Sequence, residues 1–278
     1  MVTANRGLII GNAHGEGSNR PASKSYQSTE HGNYTQIFRN SMSITRTAMR
    51  TRLRTEEAYF KIKRQCGEDH TIEMEDAFLY GEKTLGEDEN GQPLRTTMGI
   101  VPFIKTYAED NYWDYRLDSA FAGLTWDAGG EEFMFDAIEQ SFLWGDGDEK
   151  LCLLGAGASK AVQRMVKNNS MYNIYRNEQA YGIKVTKLET PHGVWNLRLS
   201  ARMTHETSNT NSLIVLEPKN LEYVYVDDTS FEPDVYFGKG GGTGKDGKEE
   251  GFITEAGLEL HHPETFMYIT NLGVTNVA

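Results

Sequence analysis

The residues best placed for chemistry lie at Leu151–Lys160. Leu151-Cys-Leu-Leu154 reads as a strand, Gly155-Ala-Gly157 as a tight turn, and Ala158 to Lys167 as the helix that follows. Backbone N–H groups at the start of a helix can hold a phosphate. A dinucleotide fingerprint, however, needs a third glycine where Lys160 stands and an acidic ribose ligand after the next strand. A Walker loop closes in Gly-Lys-Ser/Thr, and Gly155-Ala-Gly-Ala-Ser-Lys160 does not. The turn is read as a strand-to-helix connection. An enzyme of unknown class with a phosphate-binding turn at Gly155–Lys160 stays open as the alternative.

The other candidates are weaker. His261 and His262 are adjacent, so on a strand they face opposite sides and cannot share one metal easily. His205 and Glu206 lie in a Ser/Thr/Asn-rich loop. The chain contains no HExxH, HxxxH, paired CxxC or Gly-x-Ser-x-Gly pattern. With 40 Asp and Glu residues, no catalytic carboxylate pair stands out. The sequence therefore assigns no catalytic, cofactor-binding or metal-binding residue, and the expectation is a protein that is not an enzyme.

Charge is more informative. Residues 39–64 hold eight bases (Arg39, Arg46, Arg50, Arg52, Arg54, Lys61, Lys63 and Arg64) against Glu56 and Glu57, a net of +6. Residues 65–92 hold nine acids against Lys83, a net of −8. Complementary patches on one chain are what a head-to-tail contact between identical copies requires. Arg39, Arg46, Arg50, Arg52 and Arg54 are the candidate inter-subunit residues, since a guanidinium can hold a carboxylate through two hydrogen bonds. A solvated face that pairs with its own helix is the plainer reading. Nucleic-acid binding by this strip is disfavoured by the acidity of the remainder.

These residues need elements to position them. Residues 1–33 are rich in Gly, Ser, Asn and Thr, with Leu8-Ile9-Ile10 and Tyr26 as apolar anchors; they read as a tail or as an arm that orders on a neighbour. Tyr34–Phe38 and Ser43–Thr45 favour strand, with Arg39–Met42 as the turn of a hairpin. A long helix is expected over 55–83: Thr55 caps it, Tyr59, Ile62 and Cys66 share a face, Met74 and Phe78 continue the spacing, Ile72 and Leu79 are seven apart, Gly67 weakens it and Gly81 stops it.

Gly86–Pro93 reads as a surface loop, and Met98–Ile104 as an apolar stretch broken by Gly99 and Pro102. A second helix fits 130–143 on a Phe135, Ile138, Phe142 stripe. Strands follow at Ile183–Leu188, Val194–Leu199, Leu213–Leu216, Tyr223–Val226, Phe252-Ile253, Leu258–Leu260 and Phe266–Ile269. Residues 238–251, with seven glycines and three lysines, read as a mobile loop. The order predicts α+β rather than a repeating βαβ sheet.

Composition sets the outer bounds. The chain has 278 residues, 38% hydrophobic and 24% charged, with a net charge of −12 and two cysteines, Cys66 and Cys152. It can bury a core, it cannot build a disulfide framework, and it lacks a broad basic surface for nucleic acid or anionic lipid. Its longest apolar run is far short of a membrane span. A soluble, intracellular protein is expected, and the absence of a signal core argues against a secreted adhesin.

Several stretches, in order, resemble a family of tailed-phage major capsid proteins. They are Asn33–Phe38, the basic-aliphatic stretch to Leu53, Glu75–Gly81, Thr97–Ile100, the Leu154–Ala158 turn and Thr254–Leu260. The resemblance runs from about residue 33 to 270. It implies a Hong Kong 97-type capsid fold with an N-terminal arm (1–33), an extended β-hairpin loop (34–54), a spine helix and peripheral domain (55–119), an axial domain (120–249) with the Gly/Lys-rich loop at 238–251, and a return to the peripheral domain (252–278). It further implies identical subunits in hexamers and pentamers of an icosahedral shell, assembled in the host cytoplasm around double-stranded DNA. Portal, scaffold and decoration proteins would be partners; sequence-specific DNA contact and membrane would not.

Overall fold

The computed structural model describes the chain apart from residues 1–10, 24, 26, 52–56, 146, 169–173, 181–182 and 235–245. Two units are distinct, Met1–Gly32 and Asn33–Ala278. The described residues of the first carry no helix or strand, and one turn closes where the Ser18 N–H meets the Gly15 carbonyl.

In chain order the second unit runs β1 (Gln36–Thr45), α1 (Arg46–Arg50), α2 (Ala58–Tyr80), β2 (Thr84–Glu87), β3 (Pro93–Thr96), α3 (Ile100–Tyr107), β4 (Tyr112–Asp114), α4 (Trp126–Phe142), β5 (Glu149–Leu154), α5 (Ala156–Asn168), β6 (Ile174–Ala180), β7 (Ile183–Thr190), β8 (Gly193–Leu199), α6 (Ala201–His205), β9 (Leu213–Leu216), β10 (Leu221–Glu232), β11 (Gly247–Leu260) and β12 (Met267–Thr270).

The larger sheet has the order β4-β12-β9-β5-β8-β7-β6. β5 is parallel to β8 and β12 to β4, and the other neighbours are antiparallel. Segregated helices on a mixed sheet make the fold α+β, as expected. Cys152, Leu154, Leu213, Val215, Met267 and Ile269 pack with α4 and α5 on one face. Leu151, Leu153, Ile214, Leu216 and Tyr268 pack with α3 and the end of α2 on the other. A strand covered on both faces has no polar side, so β9 reads Leu-Ile-Val-Leu without alternation. α4 begins four residues before its expected start, and its inward stripe is Trp126, Phe133, Met134, Ala137 and Ile138; Phe135 is exposed.

The smaller sheet has the order β1-β11-β10, with α2 across one face. Here the expected hairpin is corrected. Residues 36–45 form one strand, paired antiparallel with β11 from Gln36↔Ala256 to Thr45↔Gly247. Phe38, Met42 and Ile44 alternate inward toward α2, and Asn40 shares their side; Arg39–Met42 is therefore strand, not turn. The expected loop at 238–251 is also corrected at its end, since 247–251 open β11; its residues 238–245 lie outside the described ones. Residues 221–232 join the sheet under α2, whereas 267–270 join the seven-stranded sheet.

α2 spans 23 residues and stops at Gly81, as its spacing predicted. Thr55 lies outside the described residues; Glu57 occupies the N-cap without a side-chain bond. Cys66, His70 and Leu79 are buried, and Ile72 faces solvent. The apolar stretch Met98–Ile104 leads into a helix, α3. Gly99 caps α3, and Pro102 falls in its first turn, where an N–H needs no intrahelical partner. Gly81 and Gly99 cross at the end of α2. The Gly99 N–H meets the Gly81 carbonyl at 2.7 Å, and a Cβ on Gly99 would lie 2.8 Å from the Ala77 carbonyl oxygen and the Gly81 nitrogen.

Candidate assembly interface

Three of the five candidate arginines are described. Arg39 leaves the β1 face away from α2, and its Nη2 lies 2.9 Å from Glu232 Oε2 of β10. Arg46 opens α1, with Nε 3.0 Å from Asp246 Oδ1. Thr45 caps that helix, its hydroxyl accepting from the Ala48 N–H. Arg50 ends α1, exposed. Arg46 and Arg50 thus sit one helical turn apart, while Arg39 is set back along the strand. Arg52 and Arg54 lie outside the described residues.

β1 runs opposite to α2, so Phe38 meets the Phe78 ring near the helix end, while the Arg46 end lies by the helix start. At that start Lys61 and Phe60 are exposed, Lys63 sits 3.4 Å above the Phe231 ring, and Arg64 Nε is 3.7 Å from Glu68. Tyr59 donates to Glu250 Oε2 at 2.7 Å, and Lys248 pairs with the other oxygen of Glu250. Burial alone would raise the Glu250 carboxyl. Hydrogen bonds from Lys248 and Tyr59 outweigh it and hold that carboxyl below its usual range. The start of α2 is therefore locked to β11, and the exposed cations project from a fixed base.

At the opposite end of α2, sequence reading missed an element. β2 and β3 form a two-stranded ribbon with four pairs, Thr84↔Thr96 to Glu87↔Pro93. Its base is tied by the Thr84 and Thr96 hydroxyls 2.7 Å apart. At its tip Asp88 Oδ1 accepts from the Asn90 and Gln92 N–H groups, both at 2.8 Å. Those backbone bonds hold the Asp88 carboxyl below its usual range. The Asn90-Gly91 dipeptide was the available hairpin signal; Leu85 and Leu94 gave no apolar alternation to support it.

The glycine turn at Gly155–Lys160 is filled from within. The Gly155 N–H donates to the Ser212 carbonyl at 3.2 Å and the Ala158 N–H to the Thr210 carbonyl at 3.0 Å. A side chain on Gly155 would strike the Thr210 backbone. Two of the turn's N–H groups thus already serve the 206–212 segment, and its backbone crowds the glycines, which weighs against the enzymatic alternative. Among the described residues, no three or more His, Cys, Asp or Glu converge on a metal position, and no helix is long and apolar enough to cross a membrane.

The mixed sheet and the long helix across a second sheet define an α+β fold shared with viral shell proteins. The capsid of Myoviridae phage XM1 has the same fold, with a TM-score of 0.52 at 11% identity over 91% of this chain and 81% of that one. So does the SrpI encapsulin of Synechococcus elongatus PCC 7942, with a TM-score of 0.55 at 9% identity over 88% and 76%. The fold is that of Hong Kong 97-type capsid proteins. Residues 4–273 match the SU10 major capsid protein family, and the chain belongs to that family. The major capsid protein of Pseudomonas phage PaMx41 is 29% identical over 292 aligned residues, covering 98% of this chain and 67% of that protein. The chain is thus a phage major capsid protein, a structural component of the virion. Family membership favours a structural over a catalytic role.

Proposed function

We propose that this subunit assembles with identical copies into hexamers and pentamers of an icosahedral shell around double-stranded DNA, and that the basic segment 39–54 grips the adjacent copy. In this reading residues 1–33 are the arm, 34–54 the extended loop, and α2 with the three-stranded sheet the peripheral domain. The seven-stranded sheet is the axial domain. Sheet membership supports drawing the return to the peripheral domain at residue 221 rather than 252, with β12 going back to the axial sheet. Assembly in the host cytoplasm, with portal, scaffold and decoration proteins as partners, belongs to the same reading. The net charge of −12 favours enclosing DNA without gripping it.

The observation that carries the docking reading is the exposed pairing of Arg39 and Arg46. Solvent-exposed ion pairs contribute about 0–1 kcal/mol, so both guanidinium groups can exchange an intramolecular carboxylate for a neighbour's at little cost. Many such weak contacts per subunit allow error correction during growth and still make the closed shell stable. The test reverses Arg46, Arg50 and Arg52 together to glutamate and follows particle formation by sedimentation and negative-stain imaging. Loss of shells at low salt is expected. Normal assembly at low and moderate salt would overturn electrostatic docking.

A further inference from the structure

Among the described residues, none covers the two leucines of the β2–β3 ribbon. An isolated two-stranded ribbon is marginal in water. This one is preorganised at both ends by the Thr84–Thr96 pair and the Asp88 turn, yet its two faces carry apolar side chains into solvent. Leu85 is 62% exposed and Leu94 55%. From the register, Leu85 shares a face with Glu87, Pro93 and Arg95, and Leu94 lies on the other with Gly86. Glu87, Asp88 and Glu89 stand in a row at the tip.

The opposite end of α2 carries the complement. Phe60 is 59% exposed, next to Lys61, with Arg50 ending α1 close by. Residues 46–64 hold seven bases and two acids. Within one subunit these surfaces cannot meet. The 23 residues of α2 separate them by roughly 33 Å. A ribbon of four pairs reaches only about 14 Å, so a gap longer than the ~8 Å screening length remains even if it folds back. A ribbon with exposed leucines and an acidic tip, and an exposed Phe60 beside Lys61 and the end of α1, held at opposite ends of a long helix, can form a head-to-tail pair.

We infer that the β2–β3 ribbon of one subunit is the surface that receives the Arg50–Phe60–Lys61 end of the next, with Leu85 packing on Phe60 and Glu87 and Glu89 facing the cations. This rests on the shell reading above and names the acidic surface that reading leaves open. The contact is heterologous, so it propagates from copy to copy. Leu85 supplies the salt-insensitive part and the carboxylates supply orientation and approach rate.

The test uses full-length subunits. Glu87→Lys with Glu89→Lys reverses the ribbon while leaving Asp88 to hold its turn; Arg50→Glu with Lys61→Glu reverses the receiving end. Each pair alone is expected to lower particle yield roughly tenfold or more at low salt. The chain carrying all four substitutions should recover to within about threefold of the parent, because each repulsive pair becomes attractive again. Leu85→Ser should lower yield at every salt concentration. Circular dichroism melts of unassembled subunits confirm that the ribbon variants are folded. If the ribbon reversal assembles like the parent while the arginine–lysine reversal fails, the ribbon is not the receiver and basic docking stands. If both single reversals assemble normally, docking by charge falls with it. If both fail and the four-substitution chain is not rescued, the two surfaces do not face each other and the inference is overturned.

Discussion

His70 Nδ1 lies 2.6 Å from the Asn40 side-chain oxygen, fastening the middle of α2 to β1. An amide oxygen can only accept, so Nδ1 carries the proton and Nε2 accepts from the Thr254 hydroxyl at 2.8 Å. The Thr229 hydroxyl then donates to Thr254 at 2.9 Å. One imidazole thus links α2 to all three strands of the smaller sheet. His70→Leu leaves Asn40 and Thr254 short of partners in a buried layer. The expected loss is about 2–3 kcal/mol of subunit stability in urea unfolding. A loss below about 0.5 kcal/mol would mean that shape, not the polar ladder, joins helix to sheet.

The same contact predicts a pH dependence. Burial pushes the His70 pKa below its ordinary 6.5, with Glu73 on α2 pulling weakly the other way. Asn40 of β1 and Thr254 and Phe252 of β11 are the other groups against the ring, and none is charged. As pH falls through 6.5, the unfolded chain takes up a proton that folded His70 resists. Its contribution is full above that pH, declines toward the lower folded pKa, and is flat beneath. Thermal melts from pH 8 to 5 should show a decline that His70→Gln lessens. Identical pH profiles for parent and variant would exclude His70 as the source.

Asn33 secures the entry into the second unit. Its amide nitrogen donates to Thr97 Oγ1 and to the carbonyls of Met98 and Leu258, while its oxygen accepts from the N–H groups of Met98 and Tyr34. Asn33→Ala should cost about 2 kcal/mol, and Asn33→Asp, which sets a carboxylate oxygen against the Met98 and Leu258 carbonyls, at least as much. An Asp variant clearly more stable than the Ala variant, measured by denaturant titration, would show that the donor side contributes little.

At the Gly155 turn a titration of the folded subunit with inorganic phosphate or ATP should stay flat to about 1 mM, since any site would then be weaker than roughly 4 kcal/mol of binding. The reason is the prior engagement of the Gly155 and Ala158 N–H groups by Ser212 and Thr210. A saturable signal lost in Gly155→Ala would reopen an enzymatic reading.

Elements that advertise a single periodicity were legible in the sequence. Tyr59, Ile62 and Cys66 with a stop at Gly81 marked α2, and Leu151–Ala158 marked the β5–α5 corner. β1 was obscured because Asn40, polar and inward, breaks the apolar alternation; its partner His70 is thirty residues away and fits the 66–70–74 helical spacing without advertising a role. α3 was hidden by Gly99 and Pro102, residues that break a helix interior but suit its first turn. Of the proposed assembly surface, the basic half was visible as a charge run. The ribbon was not, because Leu85 and Leu94 point to opposite sides and neither packs on its own core.

The buried ion pair between β5 and the turn after β9 makes the last prediction. Lys150 Nζ lies 3.0 Å from Glu217 Oε2, with side chains 1% and 6% exposed. The hydrogen bond from Nζ goes to the Thr265 carbonyl, also at 3.0 Å. The Glu217 oxygen is therefore close to the ammonium but unaligned with a donor, and the pair is held by charge more than by hydrogen-bond geometry. Removing one partner strands the other charge out of water, so Lys150→Met should cost about 3–5 kcal/mol. Removing both replaces two desolvated charges with apolar volume, so Lys150→Met with Glu217→Leu should be at least ~1 kcal/mol less destabilising than Lys150→Met alone. Denaturant midpoints for the two single variants and the double give the coupling directly. A double variant as unstable as the sum of the singles would mean that Lys150 acts through the Thr265 carbonyl rather than through Glu217.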